Sequence, residues 1–243
     1  MRAMIFAGRC AKEILRDPMN FCFGLGFPLV LLFLLSAIQA NVPVALFEIY
    51  SLAPGLSVFG LAFLALFAAT LVAKDRESAF LQRLYTTPLT GLDYLLGYML
   101  PFLPIALGQS VLCYLFAVPL GLSLHANVLL AVLGNLPIAV FYIGIGVFCG
   151  SVLSVKQVGG ICGALLTNLS AWLSGVWFDL SLVGGVFQKV AQLLPFWHAV
   201  EWEKALLKGA FSQGAAHLLP ILVYAVGMAV LAGLSFLGKR KNL

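Results

Sequence analysis

His198 and Glu201 stand three residues apart, with Glu203 just beyond, and this is the nearest approach to a pair of metal ligands in the chain. Two candidate ligands do not complete a coordination sphere. The spacing instead predicts an interfacial helix whose polar side faces water, and no metal site. The histidines available as general bases are His125, His198 and His217, all expected near the outer face, and no nucleophile is arranged beside them. There is no GxxxxGK[ST] loop, and Gly238-Lys239 lies in a basic tail without one. Gly144 to Gly150 echo a dinucleotide fingerprint, but inside an apolar helix that no strand precedes. No catalytic or cofactor-binding residue is therefore expected, and the chain does not read as an enzyme. Any ATP chemistry belongs on another chain.

A different pattern stands out in KDRESAFLQRLYTTPLT, residues 74–90, where Lys74, Asp75, Arg76, Glu77 and Arg83 gather within ten residues. Read as a helix from Ser78 to Thr86, it places Phe80, Leu81, Leu84 and Tyr85 on one apolar stripe and turns Gln82 and Arg83 away. Thr87 precedes Pro88, which disfavours helical backbone at Thr87 and should end the helix near Thr86. A short helix with an oily face and a charged rim is a docking surface, for its own protein or for the groove of a partner.

The elements that carry these residues are membrane spans. The 243 residues are 62% hydrophobic and 9% charged, too little polar surface to cover a globule in water. Six runs of about 20 residues lack Asp, Glu, Lys and Arg: Phe21–Ala40, Pro54–Val72, Leu95–Leu120, Val128–Leu153, Val158–Val176 and His217–Leu237. A central charge would cost roughly 2.5–3.5 kcal/mol on insertion scales, so its exclusion marks spanning helices. With no ionisable group at depth, the energy for any transport is expected to come from elsewhere. The expected fold is an all-α integral membrane protein of six transmembrane helices. It forms one domain over residues 1–243.

Basic residues fall unevenly between the two faces. Arg2, Arg9, Lys12, Arg16, Lys74, Arg76, Arg83, Lys156, Lys239, Arg240 and Lys241 lie on one face, and Lys189, Lys204 and Lys208 on the other. The positive-inside rule then places both termini and residues 74–90 in the cytoplasm of a multi-pass cell-membrane protein. The net charge of +5 follows from this bias and implies no nucleic acid. LLFLLSAIQAN resembles the end of a signal peptide, but five further spans follow, so the helix is expected to be retained. The five cysteines have no CxxC spacing and read as small buried hydrophobes.

Residues 1–20 read as an amphipathic helix in the cytoplasmic interface, stopped before Pro18. Thr90 and Asp93 form an [ST]-x-x-[DE] helix start. Gly146/Gly150 and Gly159/Gly163 have the small-xxx-small spacing that lets helices approach closely in lipid. Residues 177–215 are too long for a turn, and a short helix or helix pair there is expected to dip into the outer leaflet as a re-entrant segment. All four tryptophans, Trp172, Trp177, Trp197 and Trp202, cluster near it as an outer aromatic belt. The neutral polar residues of the spans, Gln109, Ser110, Asn135, Thr167, Asn168 and Ser170, read mostly as helix-to-helix hydrogen bonds.

YSLAPGLSVFGLAFLALFAATLVAKDRESAFLQRLYTTPLTGLDYLLGYML resembles the second-span region of ABC-2 type transporter permeases, with its Pro-Gly start, charged R-E-S segment and R-L-x-x-T-P-L run. LSGVWFDLSLVGGVFQKVAQLLPFWHAVEWEKALLKG resembles the later segment of the same family. The resemblance implies an ATP-driven exporter's membrane subunit, working with a second permease copy as a homo- or heterodimer and with cytoplasmic ABC ATPase subunits. ATP and Mg would sit on the ATPase and no cofactor on this chain. It makes residues 74–90 the coupling helix, with Arg76, Glu77, Arg83, Leu84, Thr86, Thr87 and Pro88 contacting or positioning the ATPase. Glu77 is expected to pair with a cation on the partner or on the interfacial helix. The path is expected between spans one, two and five, faced by Thr167, Asn168 and Ser170, and to suit an amphipathic drug, lipid or peptide. The alternative is a membrane sensor that docks a cytoplasmic partner through residues 74–90 and moves nothing.

Overall fold

The computed structural model describes all residues except 1, 19–21, 45, 79, 88 and 241–243, and only the backbone of 81, 82, 85 and 238–240. The described residues contain helices and no strand. α1 is Arg2–Leu15, and a π-helical turn, Cys22–Gly26, leads into α2, Phe27–Asn41. Then come α3 (Ile49–Glu77), α4 (Phe80–Tyr85), α5 (Gly91–Met99), α6 (Phe102–Ala117) and α7 (Ala126–Val152). α8 (Val155–Val158), a π-helical stretch Gly159–Leu166 and α9 (Thr167–Leu173) follow in one unbroken run. Three shorter helices, α10 (Leu180–Val183), α11 (Gly185–Leu193) and α12 (Pro195–Lys208), lead to the long α13, Phe211–Arg240.

Five helical stretches are long and apolar enough to cross a membrane: Cys22–Asn41, Ile49–Glu77, Gly91–Leu120, Ala126–Val152 and Phe211–Leu237. The expected fifth of six spans is not among them. The helical run there starts earlier, at Val155, in stretches of 4, 8 and 7 residues, and Lys156 and Gln157 at its start with Thr167, Asn168 and Ser170 further on lower its apolar character. The stretch 91–120 bends where α5 stops at Met99 and Pro101 precedes α6, since proline cannot donate to the turn before it.

α3 is the axis of the bundle. It is buried along most of its length, whereas α2 and α13 are largely exposed outward, as helices facing lipid would be. α3 meets α7 most closely where Gly146 and Gly150 face Ala65 and Ala69, so the expected backbone approach is found there. The companion pair behaves differently: nothing lies within 4 Å of a Cβ built on Gly159, and Gly163 makes ordinary contact with Leu66. Buried hydroxyl and amide groups knit the centre. Ser57 donates to Ser110 at 3.0 Å, and the Asn135 amide donates to Ser57 at 2.6 Å and to Ser110 at 2.8 Å, joining α3, α6 and α7.

The expected Thr90 start is present in full: Thr90 Oγ1 accepts from the Asp93 N–H at 3.2 Å and Asp93 accepts from the Thr90 N–H at 2.8 Å. The stretch LSLVGGVFQKVAQLLPF, residues 180–196, holds a helix pair, α10 and α11, and α12 begins at its end. α10 and α11 join at Gly184 and Gly185, whose φ values of 62° and 58° favour glycine.

Candidate functional site

α3 runs through Glu77, so Lys74 to Glu77 form its last helical turn rather than the start of a loop. Asp75 therefore continues the buried face of α3 and is 3% exposed. α1 is amphipathic and lays Phe6, Ala7, Cys10 and Ile14 inward, with Phe6 edge-on to Tyr98 of α5 at 4.8 Å. That docking aims Arg9 at Asp75. The guanidinium grips both carboxylate oxygens, at 2.5 and 2.7 Å, and Tyr98 donates to the same carboxylate at 2.8 Å. Arg9 also reaches Glu13 at 2.6 Å and lies over the Phe80 ring of α4 at 4.2 Å. Burial is the largest single influence and works against the Arg9 charge, but the bond to Asp75 and the charges of Asp75 and Glu13 together outweigh it and raise the arginine pKa above its ordinary value. The neighbouring Cys10 thiol is pushed up to about 12 by burial, so it is no nucleophile at neutral pH.

One network thus joins four elements: the N-terminal helix, the end of the central span, the short α4 and, through Tyr98, α5. Arg76, one residue on, turns to the end of α7, donating to the carbonyls of Ser151 (3.1 Å) and Leu153. A cation on those carbonyls also meets the negative end of the helix dipole.

A second feature lies farther along α3. An open cavity of about 520 Å³ is lined by Phe27 and Leu31 of α2, by Phe59 and Phe63 of α3, and by Gly163, Thr167, Asn168, Ala171 and Trp172 of the run ending in α9. Trp177 closes it. Its rings pack edge to face, Phe27 on Phe63 at 5.4 Å, Phe59 on Phe63 at 5.6 Å and Phe59 on Trp177 at 5.8 Å. Asn168 is exposed within this aromatic wall.

The family model of ABC-2 type transporters matches residues 3–206, which cover α1, both features and most of α12. The chain belongs to that family. No curated protein matches it. ABC-2 membrane proteins normally work in a membrane with an ATPase subunit, so the chain is a multi-pass transport permease.

Within this ABC-2 permease the residues singled out for ATPase coupling divide into two groups. Arg76 and Glu77 serve the chain's own bundle. The Glu77 carboxylate accepts the Val155 N–H at 2.8 Å and the α1 cation Arg9 goes to Asp75, so of the two cations expected for Glu77 the one on the interfacial helix is engaged elsewhere. The reason is periodicity: two residues along a helix is a turn of about 200°, so Asp75 and Glu77 face different neighbours. Leu84 packs on the core, and its carbonyl accepts from the Tyr94 hydroxyl at 2.6 Å and from the Thr87 hydroxyl at 2.6 Å. Arg83 and Thr86 are exposed, as Glu77 is, and the Thr86 hydroxyl donates back to the Arg83 carbonyl. Pro88 lies outside the described residues.

Of the three path residues, Thr167 and Asn168 line the cavity and Ser170 does not. Ser170 is fully buried against Tyr142, which joins α9 to α7 by a hydroxyl-hydroxyl hydrogen bond. Nor does the helix holding His198, Glu201 and Glu203 simply present a polar side to water. His198 faces His217 of α13 nitrogen to nitrogen at 2.9 Å, and Glu201 pairs with Lys204 at 3.0 Å. Glu203 is wholly buried. Among the described residues no group of three or more His, Cys, Asp or Glu is placed to hold a metal ion.

Glu77 supports the first prediction. Replacing it with Ala removes a charge from the N-terminal turn of α8, which its Ser154–Gln157 capping box also satisfies. The expected cost is about 0.3–1 kcal/mol, read as a thermal midpoint within a few degrees of wild type.

Proposed function

We propose that the chain is the membrane half of an ATP-driven exporter, with its substrate path at the aromatic cavity between α2, α3 and the run from Val155 to Leu173. The observation that carries this reading is the lining itself. A wall of phenylalanine and tryptophan with Asn168 and Thr167 among them suits a molecule with an apolar body and a polar end, as an amphipathic drug, lipid or peptide has. The run from Val155 to Leu173 is then the sixth span, long enough at about 1.5 Å per residue to cross most of the hydrocarbon layer. A second permease copy faces the open side of the cavity.

In this reading both termini, α1 and residues 74–90 are cytoplasmic, and residues 177–215 form the outer re-entrant segment. The basic residues of the first face and the tryptophans of the other support that orientation. An ABC ATPase subunit docks on the side of α4 that carries Arg83 and Thr86, and the Arg9–Asp75 clamp passes its movement to α1 and α3. Hydrolysis of ATP, with its Mg, takes place on that subunit.

The test is copurification with the ATPase, followed by reconstitution in liposomes and ATPase assays over a panel of amphiphiles. Stimulation and ATP-dependent movement of at least one amphiphile are expected. Copurification without any movement would leave a docking protein and defeat the export reading. Trp172→Ala removes one aromatic wall worth about 0.5–1.5 kcal/mol, so the half-maximal concentration should rise roughly 2–10-fold with the basal rate unchanged.

A further inference from the structure

Glu203 is buried on α12 with a carboxyl that has no ion-pair partner among the described residues. Trp202 beside it donates its indole N–H to the Gly134 carbonyl of α7 at 3.0 Å and seats α12 in a groove of the bundle. The groove is tight: a Cβ on Gly134 would lie 2.1 Å from Leu206 and 3.3 Å from Glu203 Oε1. The carboxyl is pressed on the α7 backbone. One of its oxygens, Oε2, accepts from the Tyr114 hydroxyl of α6 at 2.6 Å. The other, Oε1, has no hydrogen-bond partner among the described residues, and the residue is 0% exposed.

The charged and titratable groups around it are all engaged elsewhere or distant. On α12 itself, Lys204 is bonded to Glu201, and Lys208 is exposed. From α13 the facing titratable group is His217, bonded to His198. α7 brings Gly134 and Asn135, whose amide is spent on Ser57 and Ser110. The charges of α3 sit at its far end, in Lys74 to Glu77, α9 carries none, and Lys189 of α11 is exposed. An ionised carboxylate here would have one neutral donor and no cation, which is strongly disfavoured in a dry interior.

We propose that Glu203 is a proton-binding site: it is held as a neutral carboxylic acid while α12 is docked and ionises when α12 leaves the groove. The ligand is a proton from the aqueous phase at that end. Docking converts carboxylate and hydronium into carboxylic acid and water, so each docking takes up one proton and each release returns it. Movement of α12 is thereby tied to the pH of the face it meets.

Burial holds the carboxyl well above the usual carboxylate range. A group whose folded-state pKa is raised adds stability that is whole below its free value, about 4.3, and is lost as pH rises through the folded value. The docked protein should therefore weaken with alkalinity. Glu203→Gln keeps the shape of the neutral acid and removes the titration.

The experiment is infrared spectroscopy of the purified full chain, with thermal midpoints measured from about pH 6 to about pH 9. Expected is a protonated-carboxyl carbonyl band at neutral pH that moves in heavy water, is missing in Glu203→Gln and shifts in Tyr114→Phe, which loses the hydroxyl bond. The wild-type midpoint should fall with rising pH more steeply than that of Glu203→Gln. Absence of the band at neutral pH, its persistence in Glu203→Gln, or parallel midpoint curves overturns the proposal. Should Glu203→Gln not fold, the band and its shift in Tyr114→Phe decide alone. Neither measurement uses transport, so the outcome is independent of the export reading.

Discussion

Arg9→Ala is expected to cost the chain about 2–3 kcal/mol of stability and to abolish coupling of any ATPase to transport. Asp75 is 3% exposed and receives both arms of the guanidinium, so without Arg9 it keeps a buried charge and the single donor Tyr98. Breaking a fully buried pair costs about 3–5 kcal/mol, and the lower figure allows for Arg9 being 35% exposed and partly screened. Arg9→Lys should recover little, because a point charge cannot fill both oxygens or lie flat on Phe80. Asp75→Asn should be milder than Arg9→Ala, since no buried charge is stranded. The double variant Arg9→Ala/Asp75→Asn should be more stable than Arg9→Ala alone, a coupling visible in a double-mutant cycle. Thermal unfolding in detergent measures all four. A wild-type midpoint for Arg9→Ala would show that the clamp holds nothing.

Gly146→Ala and Gly150→Ala are expected to be as damaging, by a different route. The added carbons would lie 2.2 Å from the Ala65 carbonyl oxygen and 2.4 Å from that of Ala69. Backbone cannot rotate aside as a side chain does, so α3 and α7 must separate and lose contact along their length. Each substitution should cost about 1–3 kcal/mol as an overpacked core does, and the pair together should leave little monodisperse protein on size exclusion. Gly159→Ala provides the control, with nothing within 4 Å of the added carbon and an elution profile like wild type. If Gly146→Ala elutes and melts as wild type does, the close approach of α3 and α7 is wrong.

Five of the six spans were legible because hydrophobic length is a one-dimensional property, and the Thr90–Asp93 start because a capping box is local. Gly146 and Gly150 were legible for a similar reason, but the same spacing at Gly159 and Gly163 shows that a pattern of small residues does not name its partner. The burial of Asp75 is not legible in the apolar run, which stops at Val72, three residues before it. Extending the helix by one turn puts Asp75 three and four residues after Val72 and Leu71, on a face already buried, and that periodicity was the available signal. Glu203 had no such signal. Its neighbours Tyr114 and Gly134 are distant in sequence, and only the packing of α12 against α6 and α7 converts a residue read as facing water into a buried acid. Ser170 shows why a polar residue in a span is ambiguous: it bonds to Tyr142 of another helix, as most such residues are expected to, and its type alone does not distinguish that from facing a cavity.

α3 has 29 residues, about 43 Å of helix at 1.5 Å per residue, against roughly 30 Å of hydrocarbon in a bilayer. It is also the span most enclosed by its own chain. A change in bilayer thickness tilts or strains helices that meet lipid, α2 and α13 foremost, and reaches α3 only through them. The helix joining the Arg9–Asp75 pair to the aromatic cavity is thus the span least open to lipid, and the spacing of those two features should be the same in thick and thin membranes.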